Sequence, residues 1–469
     1  MKGADTHMTT TLRGLLSLPV LGLLLARPTA SPLRPVGPAQ DSQNEVSIIM
    51  SNPANHPRLG LPDLIVAPND PELTAAATSI ADVLWFDLDF EQEYYMIPRK
   101  TSASIPAAPA ESLPYAQWRD MGADFVLSGT ARRRGADLIV EFRMLSARAD
   151  TEGRQTFGEA FTCRLQNPRG CAHAIADVVH KSTRALDGIA RTKLAFASDR
   201  HGTRVVGRPG QTLAASKEIY IADYDGANQM RVTVNGNLNC CPAWSPTGGM
   251  LSYVSWVTGF PDIYLANLAQ PGRLGRPAGG SATTSNVTPS WSPDGSKVAF
   301  ASNRSGNYDI WVVNRDGSGL QNLTNTPAQE IAPTWSPSGT QLAFISDRAG
   351  MNQLYVMTST GTGIQLLVSQ KVDRPTWSPL NFIAFSIETT SGHDIGLYDF
   401  SNPGAPRVLT DGIGSNESPT VAPNGRHVAF LTTRWGRQQI AIIDRAGRKL
   451  HQVTDTGNNT FPNWQPIQR

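Results

Sequence analysis

The sequence predicts a mixed fold: a small N-terminal α/β domain followed by a six-bladed β-propeller, closed by pairing of residues 193–200 with the C-terminal strand. Three observations point to it. The phrase Pro-x-Trp-Ser-Pro, or a near variant, recurs six times, centred on Trp244, Trp291, Trp335, Trp377, Val421 and Trp464, at intervals of 42 to 47 residues. A period in the forties with a turn, an apolar strand and a Trp marks one four-stranded blade per repeat. The stretch ahead of the repeats mixes helical and strand periodicities. Finally, the two ends of the array are complementary fragments. Lys193–Arg200 matches the second strand of the repeat, as in Lys297–Arg304, with no phrase before it, and the last phrase, Pro462–Pro466, has no second strand after it. Joined, they make one blade and remove the free strand edges that invite aggregation.

The first elements lie outside this fold. Residues 1–39 read as a signal peptide and leader: Lys2 and Arg13 precede an apolar run, Leu15 to Ala26, too short to span a bilayer and suited to the core of a secretory signal. Cleavage after Ala30 fits the distance; cleavage after Ala39 fits the small-x-small rule. Both stay open. No later segment is apolar enough to span a membrane. Residues 40–62 read as a flexible segment, Pro- and Ser-rich at first, with a β-prone piece at Glu45–Met50 and a loop from Asn52 to Pro62.

Residues 63–190 read as the α/β domain. Leu64–Ala67 is a buried strand. Asp70 is placed to cap a helix with Pro71 at its first position, and Leu73, Ala77, Ile80 and Leu84 share one face of it. Tyr94–Ile97 is a strand and Tyr115–Met121 a short helix ended by Gly122. Phe125–Ser128, Leu138–Leu145 and Phe157–Leu165 form an antiparallel set. A helix from Cys171 to Leu186 covers it through Ile175, Val178, Val179 and Leu186.

Residues 191–469 read as the propeller. In the fullest repeat Trp291 lies on the first strand, and Asp294-Gly295 makes a turn that tolerates positive φ. Lys297–Ser302 is the second strand, Asp309–Val313 the third and Leu320–Thr324 the fourth. Insertions at His201–Ser216 and Gln270–Ser285 are expected to be rim loops.

Composition excludes several functions. With 469 residues, 40% apolar and 17% charged, the chain is an ordinary globular protein of about two domains. A net charge of +2 gives no reason to expect nucleic acid as a partner. There is no Gly-x-Ser-x-Gly elbow, no His-Glu-x-x-His and no phosphate-binding glycine loop. The eight His residues are scattered. No catalytic residue, metal or cofactor is expected, and Asp294 and Asp316 read as turn formers rather than calcium ligands. Cys163 and Cys171 flank a short loop between a strand and a helix, where a disulfide and two thiols both stay open. A bridge between adjacent Cys240 and Cys241 would strain the chain, so these read as thiols.

The loops just before each phrase are expected to emerge on one face, around the central channel. They contain Cys241; Ser285, Asn286 and Thr288; Glu330, Ile331 and Ala332; Asp373 and Arg374; Glu417 and Ser418; and Phe461. They vary while the framework repeats, which suits a docking mouth of mixed polarity for a protein or peptide ligand.

Trp291–Lys297 is common to many propellers. More particular are Glu417–Gly425, a penultimate phrase without its Trp, Asp223–Gln229 in the first blade, and Gly122–Gly129 in the N-terminal domain. In these the chain resembles the TolB family, periplasmic proteins of the Tol–Pal system. The resemblance implies a non-catalytic adaptor in the periplasm, serving outer-membrane integrity and constriction at cell division. It implies binding of a Pal-like peptidoglycan-associated lipoprotein at the propeller mouth. It also implies binding of a TolA-like inner-membrane protein through Glu45, Val46, Ser47, Ile48 and Ile49, whose alternation suits strand addition to a partner sheet. Two departures stand out. Ser285 lies near where the family usually carries a His, and the Cys residues are not a family feature. The alternatives are a secreted propeller hydrolase or lyase, or a sugar- or metal-binding propeller. Secreted propeller peptidases keep their nucleophile in a separate domain, which is expected to be absent from a chain that runs three residues past its last phrase.

Overall fold

The computed structural model describes residues 56–206, 212–270 and 274–468. The leader, with both its cleavage sites, and the segment Glu45–Ile49 lie outside the described residues. None of the described helices is long and apolar enough to cross a membrane.

In the N-terminal domain, β1 is Arg58–Gly60, β2 Ile65–Val66, α1 Pro71–Glu91, β3 Tyr95–Met96, α2 Arg99–Ser102, α3 Tyr115–Asp120, β4 Phe125–Arg134, β5 Asp137–Ser146, β6 Gln155–Arg164 and α4 Pro168–Arg184. The sheet runs β3-β1-β4-β5-β6, with β2 also beside β4. Asp70 caps α1, its carboxylate accepting from the Leu73 N–H at 3.0 Å, and Leu73, Ala77, Ile80 and Leu84 are all buried. α4 begins earlier than its apolar stripe suggests. Asn167 caps it by accepting from the Gly170 N–H at 3.1 Å, with Pro168 at the first turn, and Ala185 in the left-handed region ends it ahead of Leu186. A disulfide joins Cys163 on β6 to Cys171 on α4, with Cα atoms 5.6 Å apart.

One expectation is corrected here. The flexible segment given as 40–62 ends in an ordered strand. β1 lies between β3 and β4, parallel to both, with Leu59 fully buried. Three residues are too few to show alternation. Gly60, which reads as a loop residue, is required by packing: a Cβ there would stand 2.4 Å from the Trp118 ring.

The propeller has six four-stranded sheets. Five are consecutive in sequence. The sixth combines β7, Lys193–Ser198, with the C-terminal strand Asn459–Trp464, in the register Ser198 to Asn459 and Leu194 to Trp464. The ring therefore closes by the strand exchange expected from the sequence. The second strands form the core; Leu342, Ala343, Phe344 and Ile345 are all fully buried. Two of the repeat Trp residues stitch blades together. The indole N–H groups of Trp291 and Trp335 donate to the carbonyls of Ala243 and Ser290 in the preceding blade, each at 3.2 Å.

The two insertions are more ordered than rim loops. The first pairs Arg204–Val206 with Thr212–Ala215. The second contains Leu274–Gly275, the fourth strand of its blade, paired with Leu265 and Ala266. Gly and Pro on both sides of this two-residue strand hide it from any periodicity.

The N-terminal domain packs on the propeller through the end of α1 and the face of α4. Phe90 stacks on His427 with ring centroids 4.4 Å apart. Its carbonyl accepts from His427 Nε2 at 3.2 Å. The Tyr224 hydroxyl donates to Asp87 at 2.6 Å, and Arg426 donates to the Glu91 carbonyl at 2.9 Å and pairs with Glu93. Asn424 and Arg426 lie at the end of the phrase that lacks its Trp and just after it, so this divergent repeat is one that meets the other domain.

Candidate functional site

The first strand of each blade runs beside the axis and reaches its Pro through a residue with left-handed backbone. Cys241, Thr288, Ala332, Arg374, Ser418 and Phe461 have φ of 56°, 52°, 52°, 53°, 53° and 54°. At the same place in every blade the register against the second strand slips, as between Cys240 and Ala243 or Asp373 and Thr376. The Pro that follows has no N–H for the ladder, so pairing lapses there. A bulge of this kind re-aims its side chains. The result is a ring of six dissimilar groups on one repeated backbone. They line an axial cavity of ≈ 260 Å³ together with the Pro-x-Trp residues behind them. The sequence places these six residues in loops. The structure corrects this: they lie within the inner strands, because the bulge breaks the alternation that identifies a strand.

Three of the six interact across the ring. The Arg374 guanidinium lies 4.5 Å from the centroid of the Phe461 ring. It also stands 3.9 Å from Cys241 Sγ. Cys241 Sγ is 2.7 Å from that of Cys240, and both cysteines are unbridged. The Cys240 thiol hydrogen bond, then the Arg374 charge, hold Cys241 below the ordinary thiol range at about 7, against the opposing effect of burial. Cys240 is pushed the other way, first by the same bond and then by burial.

The remaining predicted residues divide. Asp373 and Glu417 keep exposed carboxylates, Glu417 accepting from the Ser415 hydroxyl at 2.5 Å. Ile331 is partly buried and packs into a blade core. Ser285 lies before its strand, its N–H donating to Asn303 at 2.7 Å. Asn286 and Glu330 do not face the channel. Both are fully buried at the start of their inner strands. Asn286 accepts from Arg304 at 3.1 Å and donates to Asp262 at 2.7 Å. Glu330 accepts from Arg348 at 2.9 Å and from Ser346 at 3.2 Å. Asn459 accepts from Arg200 at 3.0 Å in the same way. The recurring Arg after the second strand therefore fastens the head of the inner strand. A signal for this was present: the residue two before the bulge is Asn239, Asn286, Glu330, Asn416 or Asn459 in five of the six repeats. That marks framework rather than variation.

His173, Asp223 and Asp225 bring ligand atoms within 4.8 Å of one another at the domain junction. Their carboxylates are already engaged: Asp225 by Arg169, and Asp223 by Lys193 at 2.5 Å and by Asn228 at 2.6 Å. These contacts make the set a charge-paired junction.

Residues 187–468 match the TolB beta propeller domain and residues 60–152 the TolB amino-terminal domain. The chain is 29% identical over 204 residues to the Tol-Pal system protein TolB of Desulfosudis oleivorans, covering 43% of each chain. It is 30% identical over 199 residues to that of Roseobacter denitrificans, covering 42% of each. The matched stretch spans less than half the length of these curated relatives. TolB from Acinetobacter baumannii has a similar crystal structure, with TM-score 0.70 at 20% identity over 88% of this chain and 97% of that one. At that identity the likeness concerns the fold.

Proposed function

The chain belongs to the TolB family, and from that premise we propose that it is a non-catalytic periplasmic adaptor of a Tol–Pal system. The propeller channel takes a segment of a Pal-like peptidoglycan-associated lipoprotein. The N-terminal segment Glu45–Ile49 takes a TolA-like protein by strand addition. The adaptor then serves outer-membrane integrity and constriction at division. The observation that carries this reading is the ring of six dissimilar side chains on one repeated bulge. A scaffold that holds its backbone constant and varies only these groups reads a polypeptide's shape and charge. Within the ring, Arg374 beside Phe461 offers a cation and an aromatic face, residue types enriched at the centres of protein interfaces. Two families of contacts at opposite ends of the chain also allow coupling, with each partner changing the other's affinity by the same factor.

The test is calorimetry of the exported protein with the Pal-like lipoprotein of the same genome. Binding at micromolar concentration or tighter is expected. Arg374→Glu and Phe461→Ala should each weaken it at least about tenfold, roughly 1.4 kcal/mol, with melting temperatures unchanged. No binding by the intact protein ends the reading. Deleting residues 45–49 should abolish capture of the TolA-like protein and spare the Pal-like one.

A further inference from the structure

Adjacent residues of a regular strand point to opposite faces, which keeps neighbouring cysteines apart. Cys240 and Cys241 escape this because the bulge at Cys241, with φ of 56°, turns the chain between them. Their sulfurs stand 2.7 Å apart, and a bond needs about 2.05 Å. Cys241 lines the axial cavity, so a small reagent can approach it from the channel. Arg374 reaches its sulfur from another blade. Lys217 is the other cation near the pair, its ammonium donating to Thr460 at 3.2 Å. The nearby acid, Asp373, sits beside Arg374 at 3.9 Å. The disulfide Cys163–Cys171 is in a different domain and has ordinary Cα spacing.

We propose that Cys240 and Cys241 are a redox modification site, an oxidisable dithiol in the channel wall that an external disulfide converts to a reversible vicinal disulfide. The Cys241 thiolate attacks one sulfur of the reagent disulfide, forming a mixed disulfide and expelling one thiolate. Cys240 gives its proton to water and attacks the Cys241 sulfur, releasing the second reagent thiol. Two protein thiols are oxidised and one reagent disulfide is reduced to two thiols, so atoms and electrons balance. Adjacent Cα atoms are closer than a relaxed bridge prefers, which makes the product easily reduced and the modification reversible. Arg374 acts as a positioning residue that favours the thiolate. The inference does not depend on which partner the channel takes.

The experiment treats the full exported protein with oxidised glutathione and reads it by differential alkylation and mass spectrometry. The peptide carrying Cys240 and Cys241 should become lighter by two hydrogen atoms, with no lasting glutathione adduct, and dithiothreitol should restore both thiols. Cys240→Ser should stop at a glutathione adduct on Cys241, and Cys241→Ser should react at least about tenfold more slowly. The pH midpoint of Cys241 alkylation should lie near neutrality and move up in Arg374→Gln. A stable adduct on the unsubstituted protein, a disulfide between two chains, or no reaction under conditions that oxidise a free dithiol peptide would each overturn the proposal. So would an Arg374→Gln profile identical to that of the unsubstituted protein.

Discussion

A non-glycine residue held at φ near +50° carries a cost of about 1–3 kcal/mol, and the inner strands carry it once per blade. Ala332 isolates the effect, since its side chain is a single methyl group. Ala332→Gly is expected to leave the melting temperature unchanged or raise it. Ala343→Gly, in a regular strand of the same blade, should cost about 1 kcal/mol. Equal losses from the two would show that the bulge is unstrained. The residue type at such sites is legible in a sequence, but the backbone is not. Residues preceding Pro are ordinarily extended, so nothing local to Cys241 or Arg374 announces a left-handed turn. Glu330 shows the reverse limit. Its charge beside a variable segment reads as a docking group, and only Arg348, eighteen positions later, reveals that the carboxylate is committed internally.

Among the elements, the repeated Trp is both the clearest sign in the sequence and a physical joint. Trp335→Phe should cost about 1 kcal/mol for the lost bond to Ser290. Trp335→Ala should cost about 3–5 kcal/mol for the cavity left between two blades. Chemical denaturation with tryptophan-independent detection checks both. Val421 offers no indole for this joint. The long strands and the first helix could be read because their patterns persist over many residues: β5 buries Leu138, Val140, Phe142 and Met144 at every second position, and α1 carries its cap, its Pro and four face residues in order. Among the elements that escaped are the two- and three-residue strands, β1 and Leu274–Gly275. Their existence depends on partners distant in sequence rather than on any pattern of their own.

At the scale of the whole molecule, the junction between domains is the feature that sequence patterns hid most fully. Phe90, Tyr224 and His427 look like members of separate cores until the two domains are brought together. The junction should be sensitive to pH in two directions. Burial lowers His427 to about 3 and His180 to about 4. A group depressed on folding contributes stability that is whole above its unfolded value and drains away as the pH falls toward the folded one. Burial raises Glu91 to about 7, so its contribution is present below the ordinary carboxyl range and is lost as the pH rises to about 7. Thermal melts should therefore show Glu91→Gln gaining on the unsubstituted protein between about pH 5 and about pH 8, and His427→Asn losing less on acidification from neutrality. A constant offset in either comparison would place these groups outside the linkage. The exchanged strand of the last blade has a further consequence. Asp199 and Asn458, which bond beside that seam, are 259 residues apart in sequence. A folding chain therefore exposes the bare hydrogen-bonding edge of Lys193–Ser198 until the strand Asn459–Trp464 arrives. Throughout that interval it is vulnerable to proteases and to mispairing with neighbouring chains.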